Sequence, residues 1–411
     1  MPFIADFHIH SKYSRATSKD MDLKALAKWS KIKGVSMLGS GDFTHPAWLA
    51  ELKKDLEEVE RGVYTYEGIS FVLTAEVSNI YFKAGRTRKV HNMIFAPDLG
   101  TVEEINGILS GYGDLSSDGR PILSLECDKM VKMLSAIDAD IFFIPAHAWT
   151  PHFSIFGSNS GFDSPEECFE EQTPKIFSIE TGLSSDPGMN WRWSKLDRFC
   201  LTSNSDAHSP SKIGREANVF SEKVDYKGLI KILKTKDKAK FLYTVEFFPE
   251  EGKYHWDGHR NCKARLSPEE SKRINNICPV CGKKMTIGVM HRVEGLADRS
   301  EGFELKSSPS YKRAVPLNEI ISGALGVGPD SLTVEKEYLR LIKNLGSEFN
   351  ILFDLPEKVL MEACPPRIAK GVINVRSGNL EITPGYDGEY GKVRIFKEGE
   401  DAGGEKQLSF F

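Results

Sequence analysis

The chain has 411 residues, of which 40% are hydrophobic and 27% are charged, and its formal net charge is −4. This length predicts two or three domains, and the charge excludes a protein that attracts polyanions over its whole surface. Three of the seven cysteines crowd one short stretch, which favours metal binding in a reducing compartment over a disulfide framework. Neither a signal peptide nor a run of ~20 apolar residues is recognisable, so we expect a cytoplasmic protein.

The N-terminal segment ends in His8-Ile9-His10, two imidazoles separated by one residue. Alternate side chains of a strand share a face, so Asp6, His8 and His10 are predicted to point to the same side. Two imidazoles at a strand end are suitably spaced to hold one metal ion. The pair alone is a weak signal, and its weight comes from similar residues that follow later apolar runs.

Residues 1 to 225 alternate short apolar runs with helical patterns such as Asp22–Lys33 and Pro46–Glu60. The predicted strands are Pro2–Ile9, Val35–Ser40, Ile69–Glu76, His91–Ala96, Ile141–Pro145, Ile176–Thr181 and Phe199–Ser203. Strands that alternate with helices favour an α/β fold with a parallel sheet, here closed into a barrel. The active site of such a barrel lies at the carboxyl ends of its strands.

Acidic and imidazole residues stand at the ends of these predicted strands. They are Asp42, His45, Glu76, His91, His147, Glu180, Asp206 and His208. So many unpaired carboxylates and imidazoles would be costly to bring together without cations between them. The pattern therefore predicts several metal ions in one pocket.

This set of residues resembles the PHP domain (polymerase and histidinol phosphatase) family over about the first 225 residues. The resemblance implies a distorted (β/α)7 barrel, a three-metal site, and metal ligands at His8, His10, Glu76, His91, His147, Asp206 and His208. We assign catalysis to Asp206, His8 and His147. The family pair after the second strand reads Asp42-Phe43 here, so either Asp42 or the displaced His45 is expected as a further ligand. Ser14 and Arg15 replace an acidic or imidazole position of the family, which leaves occupancy of the third metal site open.

A second metal pattern follows in His259-x2-Cys262 and Cys278-x2-Cys281, where Gly282 permits a tight turn. We expect these four residues to bind structural zinc and to fold a small module, with His255 and His291 as alternative fourth ligands. Residues 253–313 carry thirteen Lys or Arg against seven Asp or Glu. We predict DNA contacts from Lys263 and Arg265 in the run Lys263-Ala264-Arg265, and from Lys283 and Lys284.

The rest of the chain is predicted to be mostly helical. The predicted helices are Pro316–Leu325, Val334–Asn344, Pro356–Ala363 and Pro366–Val372, with a helix stop at Gly326 and a hairpin within Leu380–Phe396. The charged, glycine-rich segment 401–406 is expected to be flexible. The predicted domains are therefore a catalytic barrel (1–235), a zinc-binding module (236–304), a helical C-terminal domain (305–400) and a tail (401–411).

The tail ends in Gln407-Leu408-Ser409-Phe410-Phe411. It resembles the peptide with which repair enzymes dock onto a sliding clamp, although one residue instead of two separates the aliphatic residue from the aromatic pair. Burial of the two phenylalanines against the protein itself is the alternative.

The whole layout, including His255-Trp-Asp-Gly-His259-Arg-Asn-Cys262, resembles the endonuclease Q family of DNA repair nucleases. The resemblance implies nicking of DNA on the 5′ side of deaminated bases (uracil, hypoxanthine, xanthine) and abasic sites. A phosphoesterase for small phosphomonoesters and a non-catalytic DNA-binding protein are the alternatives, but each leaves part of the chain unexplained. Imidazole-rich ligation favours zinc or manganese, and magnesium remains open. We expect a monomer, with Trp149, Trp191 and Trp193 as candidate residues of a base pocket.

Overall fold

The computed structural model describes residues 2–397, which contain an eleven-stranded mixed sheet. The strands are, in chain order, β1 (Phe3–Asp6), β2 (Met37–Gly39), β3 (Glu57–Glu60), β4 (Val63–Tyr66), β5 (Ile69–Lys83), β6 (Arg86–Ala96), β7 (Ile122–Leu123), β8 (Phe142–Pro145), β9 (Ser178–Glu180), β10 (Cys200–Thr202), β11 (Ala217–Phe220), β12 (Phe241–Glu246), β13 (Asp257–His259), β14 (Ala264–Leu266), β15 (Ser310–Arg313), β16 (Glu381–Thr383) and β17 (Lys392–Arg394). The large sheet contains β1 to β8, β11, β12 and β15, and the remaining six strands form three separate pairs.

The helices lie between these strands and dominate the C-terminal part. They are α1 (Leu23–Lys33), α2 (Pro46–Asp55), α3 (Leu99–Leu109), α4 (Cys127–Leu134), α5 (Pro165–Phe169), α6 (Pro187–Asn190), α7 (Tyr226–Thr235), α8 (Pro268–Arg273), α9 (Val289–Leu296), α10 (Leu317–Leu325), α11 (Leu332–Leu345), α12 (Glu357–Ala363) and α13 (Pro366–Ser377). Helix α1 begins where the Asp22 carboxylate accepts a hydrogen bond from Ala25 N, and it ends at Gly34, whose φ is 91°. Within residues 2–397, every helix is too short or too polar to cross a membrane.

The sheet is mixed, which differs from the predicted parallel arrangement. Strands β1, β2 and β5 run parallel to one another, as expected, but β1 is antiparallel to β11 and β5 is antiparallel to β4. Strand β6 runs antiparallel to β5 because the chain reverses at Ala84-Gly85, and β8 is antiparallel to β6. His91 therefore lies inside a long hairpin and not at a carboxyl end. The predicted helix Pro46–Glu60 ends at Asp55, because Glu57–Glu60 pairs with β4 as strand β3.

The backbone ladders of the described residues do not close a ring. Strand β8 pairs only with β6, and β9 pairs only with β10. A few hydrogen bonds span the two gaps. Ala148 N donates to Glu180 O (2.9 Å) across the first, and Ser203 N donates to Asn218 Oδ1 (3.1 Å) while Asn218 Nδ2 donates to Ser203 O (2.8 Å) across the second. The mixed α/β class is confirmed, and the sheet curves around an inner apolar cluster that includes Phe7, Phe95 and residues from β2, β5, β8 and β10.

A separate apolar cluster holds the C-terminal helices together. Helices α10 to α13 form it together with Phe248 and Ile395. A buried ion pair connects this cluster to α1, with Lys33 Nζ 2.6 Å from Glu348 Oε2. Glu348 also accepts hydrogen bonds from the Tyr338 hydroxyl (2.5 Å) and Leu317 N (3.1 Å). This many partners offset the cost of burying the two charges.

The predicted C-terminal elements are present within the described residues. Helices α10 to α13 match the four predicted helices, and Gly326, whose φ is 67°, ends α10. Strands β16 and β17 form the predicted hairpin. The predicted tail 401–411, with its candidate clamp-binding segment Gln407–Phe411, lies outside the described residues.

Candidate active site

His8 and His10 follow β1, and a carboxylate holds each ring on its Nδ1 side. His8 Nδ1 lies 3.0 Å from both oxygens of Glu180. His10 Nδ1 lies 3.0 Å from the Asp42 Oδ1. Each carboxylate fixes the orientation of its imidazole and leaves Nε2 for another partner, which is the arrangement common at metal-binding histidines. His8 Nε2 is buried and has no hydrogen-bond partner among the described atoms.

The convergence of His8 and His10 does not come from strand alternation, because β1 ends at Asp6. The Asp6 carboxylate accepts hydrogen bonds from Ser205 N (3.0 Å) and Gly214 N (2.9 Å). Burial raises the pKa of Asp6 to about 6. Asp6 therefore anchors the loop that carries Asp206 and is not part of the histidine cluster.

Asp42 and His45, the two candidates for a further ligand, lie outside this cluster. Asp42 Oδ2 accepts hydrogen bonds from the amide and hydroxyl of Ser11 (2.6 and 2.7 Å) and from the Ser14 hydroxyl (2.9 Å). The His45 ring stacks on Tyr13, with 4.5 Å between ring centroids. The geometry therefore places Asp42 behind His10 and not in the predicted ligand position.

Glu76 is fully buried and lies at the centre of the cluster. Its Oε1 is 2.8 Å from His91 Nδ1 and 3.1 Å from His147 Nε2. Its Oε2 is 3.3 Å from His10 Nε2 and 3.5 Å from His8 Nε2. Burial opposes ionisation, but the neighbouring His91, His8 and Arg120 hold the pKa of Glu76 well below its usual value. One carboxylate thus joins two sets of imidazoles.

Two groups of ligand-type residues share Glu76. The first group is His8, His10, Glu76 and Asp206, and the second group is Glu76, His91 and His147. Within each group the ligand atoms lie within 4.8 Å of one another. Asp206 Oδ1 is 3.1 Å from His10 Nε2. His208 borders the first group, since its ring centroid is 4.6 Å from that of His10, but its Nδ1 contacts the carbonyl oxygen of Asp206 at 2.8 Å.

The donor atoms fit a divalent cation. His91 Nδ1 and His147 Nε2 are 3.1 Å apart, close to the separation of about 3.3 Å expected for two nitrogens bound tetrahedrally to one zinc ion. Burial lowers the pKa of His91 to about 4, so the ring is neutral near pH 7 and its lone pair is free to bind a metal. Imidazole nitrogens and bridging carboxylate oxygens suit zinc or manganese.

Several residues of the site have a left-handed backbone, which a non-glycine residue seldom adopts. The φ angles are 30° for His147, 46° for Asp42, 47° for Asp206 and 59° for Phe153. Strain of this kind persists where the surrounding structure enforces it, and it concentrates at functional sites.

Two residues near the cluster, Arg120 and Phe153, were not predicted as functional. Arg120 Nη1 is 3.1 Å from Glu76 Oε2. The partly exposed ring of Phe153 lies 4.9 Å from the His91 ring, with Lys89 Nζ 5.1 Å from its centroid. Their signal is tertiary, because nothing in the local sequence places them at the site. Glu180 was predicted in the pocket with the other strand-end residues, and it holds His8 and also accepts a hydrogen bond from His147 N (2.9 Å).

The three tryptophans considered for a base pocket are core residues. Trp149, Trp191 and Trp193 are 1%, 6% and 4% exposed. The rings of Trp149 and Trp193 pack edge to face, and both also contact the ring of Phe156. Trp149 Nε1 donates a hydrogen bond to Asn190 Oδ1 (2.8 Å). They cannot stack on a nucleotide base without loss of this packing.

The predicted zinc ligands His259, Cys262, Cys278 and Cys281 form one group, with their ligand atoms within 4.8 Å of one another. Burial opposes ionisation of Cys278, but the amides of Val280 and Cys281 lower its thiol pKa to about 7. The alternative ligand His291 is instead bound to Asp257, with Nδ1 2.6 Å from Oδ2, and His255 is not part of the group.

The predicted DNA-contacting residues surround this group. Lys263, Arg265, Lys283 and Lys284 are all exposed. Gly282, with φ of 71°, makes the turn that presents the two later lysines. The three lysines can reach an anionic surface next to the cysteines, whereas Arg265 Nη1 also donates to Pro384 O (3.3 Å).

Known proteins resemble the whole chain. YqxK of Bacillus subtilis (strain 168) is 31% identical over 409 residues, which cover 95% of this chain and 98% of YqxK. The structure of the lesion-specific endonuclease PfuEndoQ from Pyrococcus furiosus is 32% identical, has a TM-score of 0.88, and covers 99% of this chain and 98% of that one. A second structure shows endonuclease Q in complex with a 27-mer duplex substrate that has an abasic lesion at the active site of the enzyme. It is also 32% identical and has a TM-score of 0.86, and the match covers 99% of this chain and 100% of that one.

A family described as the MJ0043 C-terminal domain also matches, at residues 316–379, which span α10 to α13. The two solved structures agree with this chain over nearly its full length at identities above 30%. The chain therefore belongs to the endonuclease Q family and is a metal-dependent hydrolase.

Proposed function

We propose that this protein is a metal-dependent DNA endonuclease that nicks the phosphodiester on the 5′ side of deaminated bases and abasic sites. The observation that carries the proposal is the Glu76-centred pair of ligand groups, in a chain similar over 99% of its length to endonuclease Q bound to an abasic duplex. A role in DNA repair follows from this substrate class.

The proposed metal ligands are His8, His10, Glu76, His91, His147 and Asp206, with His208 at the border. Bound divalent cations would supply an activated water and would neutralise charge on the scissile phosphate. Glu180 and Asp42 keep the His8 and His10 rings oriented through Nδ1. Glu76 couples the two groups, because one carboxylate contacts ligand atoms of both.

The cysteine group has a structural role in this proposal. His259, Cys262, Cys278 and Cys281 would hold zinc in a closed four-ligand site, which stabilises the surrounding segment. The exposed lysines and Arg265 beside it would contact the DNA backbone. We also propose the division into a barrel (1–235), a zinc module (236–304) and a helical domain (305–400), with the few hydrogen bonds at β8–β9 and β10–β11 completing the barrel.

Phe153 offers a stacking surface at the site. Its partly exposed ring lies against the His91 ring and beneath Lys89, so it can contact a nucleotide whose phosphate lies at the ligand groups. A damaged or missing base pairs poorly, so eversion of that nucleotide costs less than eversion of a normal one. This difference supports selectivity for uracil, hypoxanthine and abasic sites over undamaged DNA.

The test uses end-labelled duplexes that contain one abasic site, uracil or hypoxanthine, each compared with an undamaged duplex of the same sequence. We expect a single nick 5′ of the lesion in the presence of Mn²⁺, Zn²⁺ or Mg²⁺, and no nick after removal of metal with a chelator. The base of a uracil substrate should remain on the product. Equal cleavage of the undamaged duplex would contradict lesion recognition, and hydrolysis of histidinol phosphate without any nicking would favour the phosphomonoesterase alternative.

A further inference from the structure

A short loop places Arg120 at the carboxylate that joins the two ligand groups. The loop runs from Asp114 to Pro121, between α3 and β7, and brings Arg120 Nη1 to 3.1 Å from Glu76 Oε2. Glu76 is completely buried, whereas the side chain of Arg120 is 25% exposed. Arg120 therefore lies between the central carboxylate and the solvent from which a substrate phosphate has to enter.

The loop is fixed to the parts of the fold that support His10. Gly119 N donates to Tyr13 O (3.1 Å), and the Thr44 hydroxyl donates to Gly119 O (3.2 Å). A Cβ atom at Gly119 would overlap the Asp42 carboxylate and the Ser14 hydroxyl, so only glycine fits there. The position of Arg120 is thus set by the same residues that orient the imidazole of His10.

The hydrogen-bonding capacity of Arg120 is mostly unused. A guanidinium has five donors in a planar fork, and in the described residues the side chain has a hydrogen bond to Glu76 alone. When cations bind to the imidazoles and to Glu76, they take over neutralisation of this carboxylate. The remaining donors of Arg120, on a partly exposed side chain beside Glu76, are then available to a phosphate held by the cations, and an arginine fork matches phosphate oxygens in geometry and charge.

We propose that Arg120 is a catalytic residue that donates hydrogen bonds to a non-bridging oxygen of the scissile phosphate. The inference rests on the proposed nuclease function. During hydrolysis, water oxygen bonds to phosphorus and releases a proton to solvent, the P–O3′ bond breaks, and the O3′ atom leaves with the electron pair and receives a proton from solvent. Negative charge grows on the non-bridging oxygens, and Arg120, which keeps its protons, stabilises that charge.

The decisive variants are Arg120→Ala and Arg120→Lys, with Arg340→Ala as the matched control. Arg340 is paired with Glu337 on α11, so its removal also breaks an arginine–carboxylate pair, but one that contains no residue of the ligand groups. We expect Arg120→Ala to lower kcat for an abasic duplex by about 100-fold or more, with KM changed less than about threefold. Arg120→Lys should recover less than a tenth of the lost rate, and added guanidinium ion should partly restore Arg120→Ala.

Two readouts separate this role from a structural one. The metal content of Arg120→Ala, measured by mass spectrometry, should equal that of the wild-type protein. Binding of inorganic phosphate to the Mn²⁺-loaded protein, measured by calorimetry, should weaken about tenfold in Arg120→Ala and remain unchanged in Arg340→Ala. Loss of bound metal, or a nicking rate within threefold of wild type, would overturn the inference. A wild-type protein that does not nick abasic DNA contradicts the proposed function, whereas phosphate binding unchanged by Arg120→Ala contradicts the inference alone.

Discussion

The two ligand clusters of this molecule are built in opposite ways. The Glu76 cluster draws its residues from segments about 200 positions apart, and carboxylates behind His8 and His10 orient their rings. The cysteine cluster comes from residues 259–281 alone, and Cys281 is exposed. The first cluster is preorganised by carboxylates behind its ligands, whereas the second lies in one short segment held by local backbone pairing such as that of β13 with β14. We therefore expect bound metal to serve chemistry in the first cluster and folding of the segment in the second.

The largest effect should follow removal of a ligand from the preorganised cluster. We expect Asp206→Asn and His8→Ala each to slow nicking of an abasic duplex by about 100- to 1,000-fold. DNA affinity, measured by fluorescence anisotropy at fixed salt, should stay nearly constant because most of it comes from phosphate contacts elsewhere. Retention of more than a tenth of the wild-type rate in both variants would contradict this site.

The supporting carboxylates should matter less than the ligands they orient. Asp42→Asn and Glu180→Gln remove charge behind His10 and His8 while keeping side-chain size, and each should lower metal affinity or activity about 10- to 100-fold. Titration of the metal-free variants with Mn²⁺, followed by activity at saturation, separates weaker binding from weaker catalysis. An unchanged metal affinity and rate in both variants would show that orientation through Nδ1 is unimportant here.

Removal of ligands from the cysteine cluster should change the local structure more than the catalytic chemistry. The double variant Cys278→Ser with Cys281→Ser is expected to lose one zinc ion per chain and the folded structure of residues 259–285. DNA affinity should fall roughly tenfold as the exposed lysines lose their fixed positions, while the Glu76 cluster keeps its metals. Elemental analysis together with hydrogen exchange checks both points, and a metal count that does not fall would show that this cluster binds no zinc.

The smallest effect is expected at the edge of the preorganised cluster. Phe153→Ala removes the exposed ring next to His91 and should weaken binding of a lesion duplex roughly fivefold. The variant should bind undamaged duplex as the wild-type protein does, since the everted nucleotide is the proposed partner of the ring. Equal weakening for both duplexes would mean that Phe153 does not contact the lesion.

The sequence allowed the cysteine cluster to be predicted more completely than the Glu76 cluster, for a physical reason. Ligands within 23 positions are constrained by local chain geometry, so spacing identified the three cysteines and favoured His259, with His255 and His291 left as alternatives for the fourth ligand. Hydrophobic runs likewise located the seven predicted strands, because buried strands need continuous apolar sequence. Both signals are local.

Features of the fold and of the site that depend on contacts between distant parts of the chain could not be predicted from such local signals. The reversal of β6 follows from the hairpin at Ala84-Gly85 and moves His91 away from a strand end. The placement of Asp42 behind His10 and of Arg120 beside Glu76 requires loops that are distant in sequence to pack together. The burial of Trp149 likewise depends on aromatic partners that no local pattern identifies.

The buried ion pair between Lys33 and Glu348 should make unfolding of α1 and of helices α10 to α13 cooperative. Lys33 Nζ also lies 6.0 Å from the Trp29 ring centroid and 5.8 Å from that of Tyr338, so its surroundings are supplied by both ends. Separation of α10 to α13 from α1 would leave each charge without its partner, which is costly in a dry environment. A chain shortened to end before residue 316 should therefore melt at a lower temperature in its catalytic part, although every ligand of the Glu76 cluster is still present. The C-terminal helices act in this way as part of the thermodynamic unit that holds the active site, and their loss should be felt first as heat sensitivity.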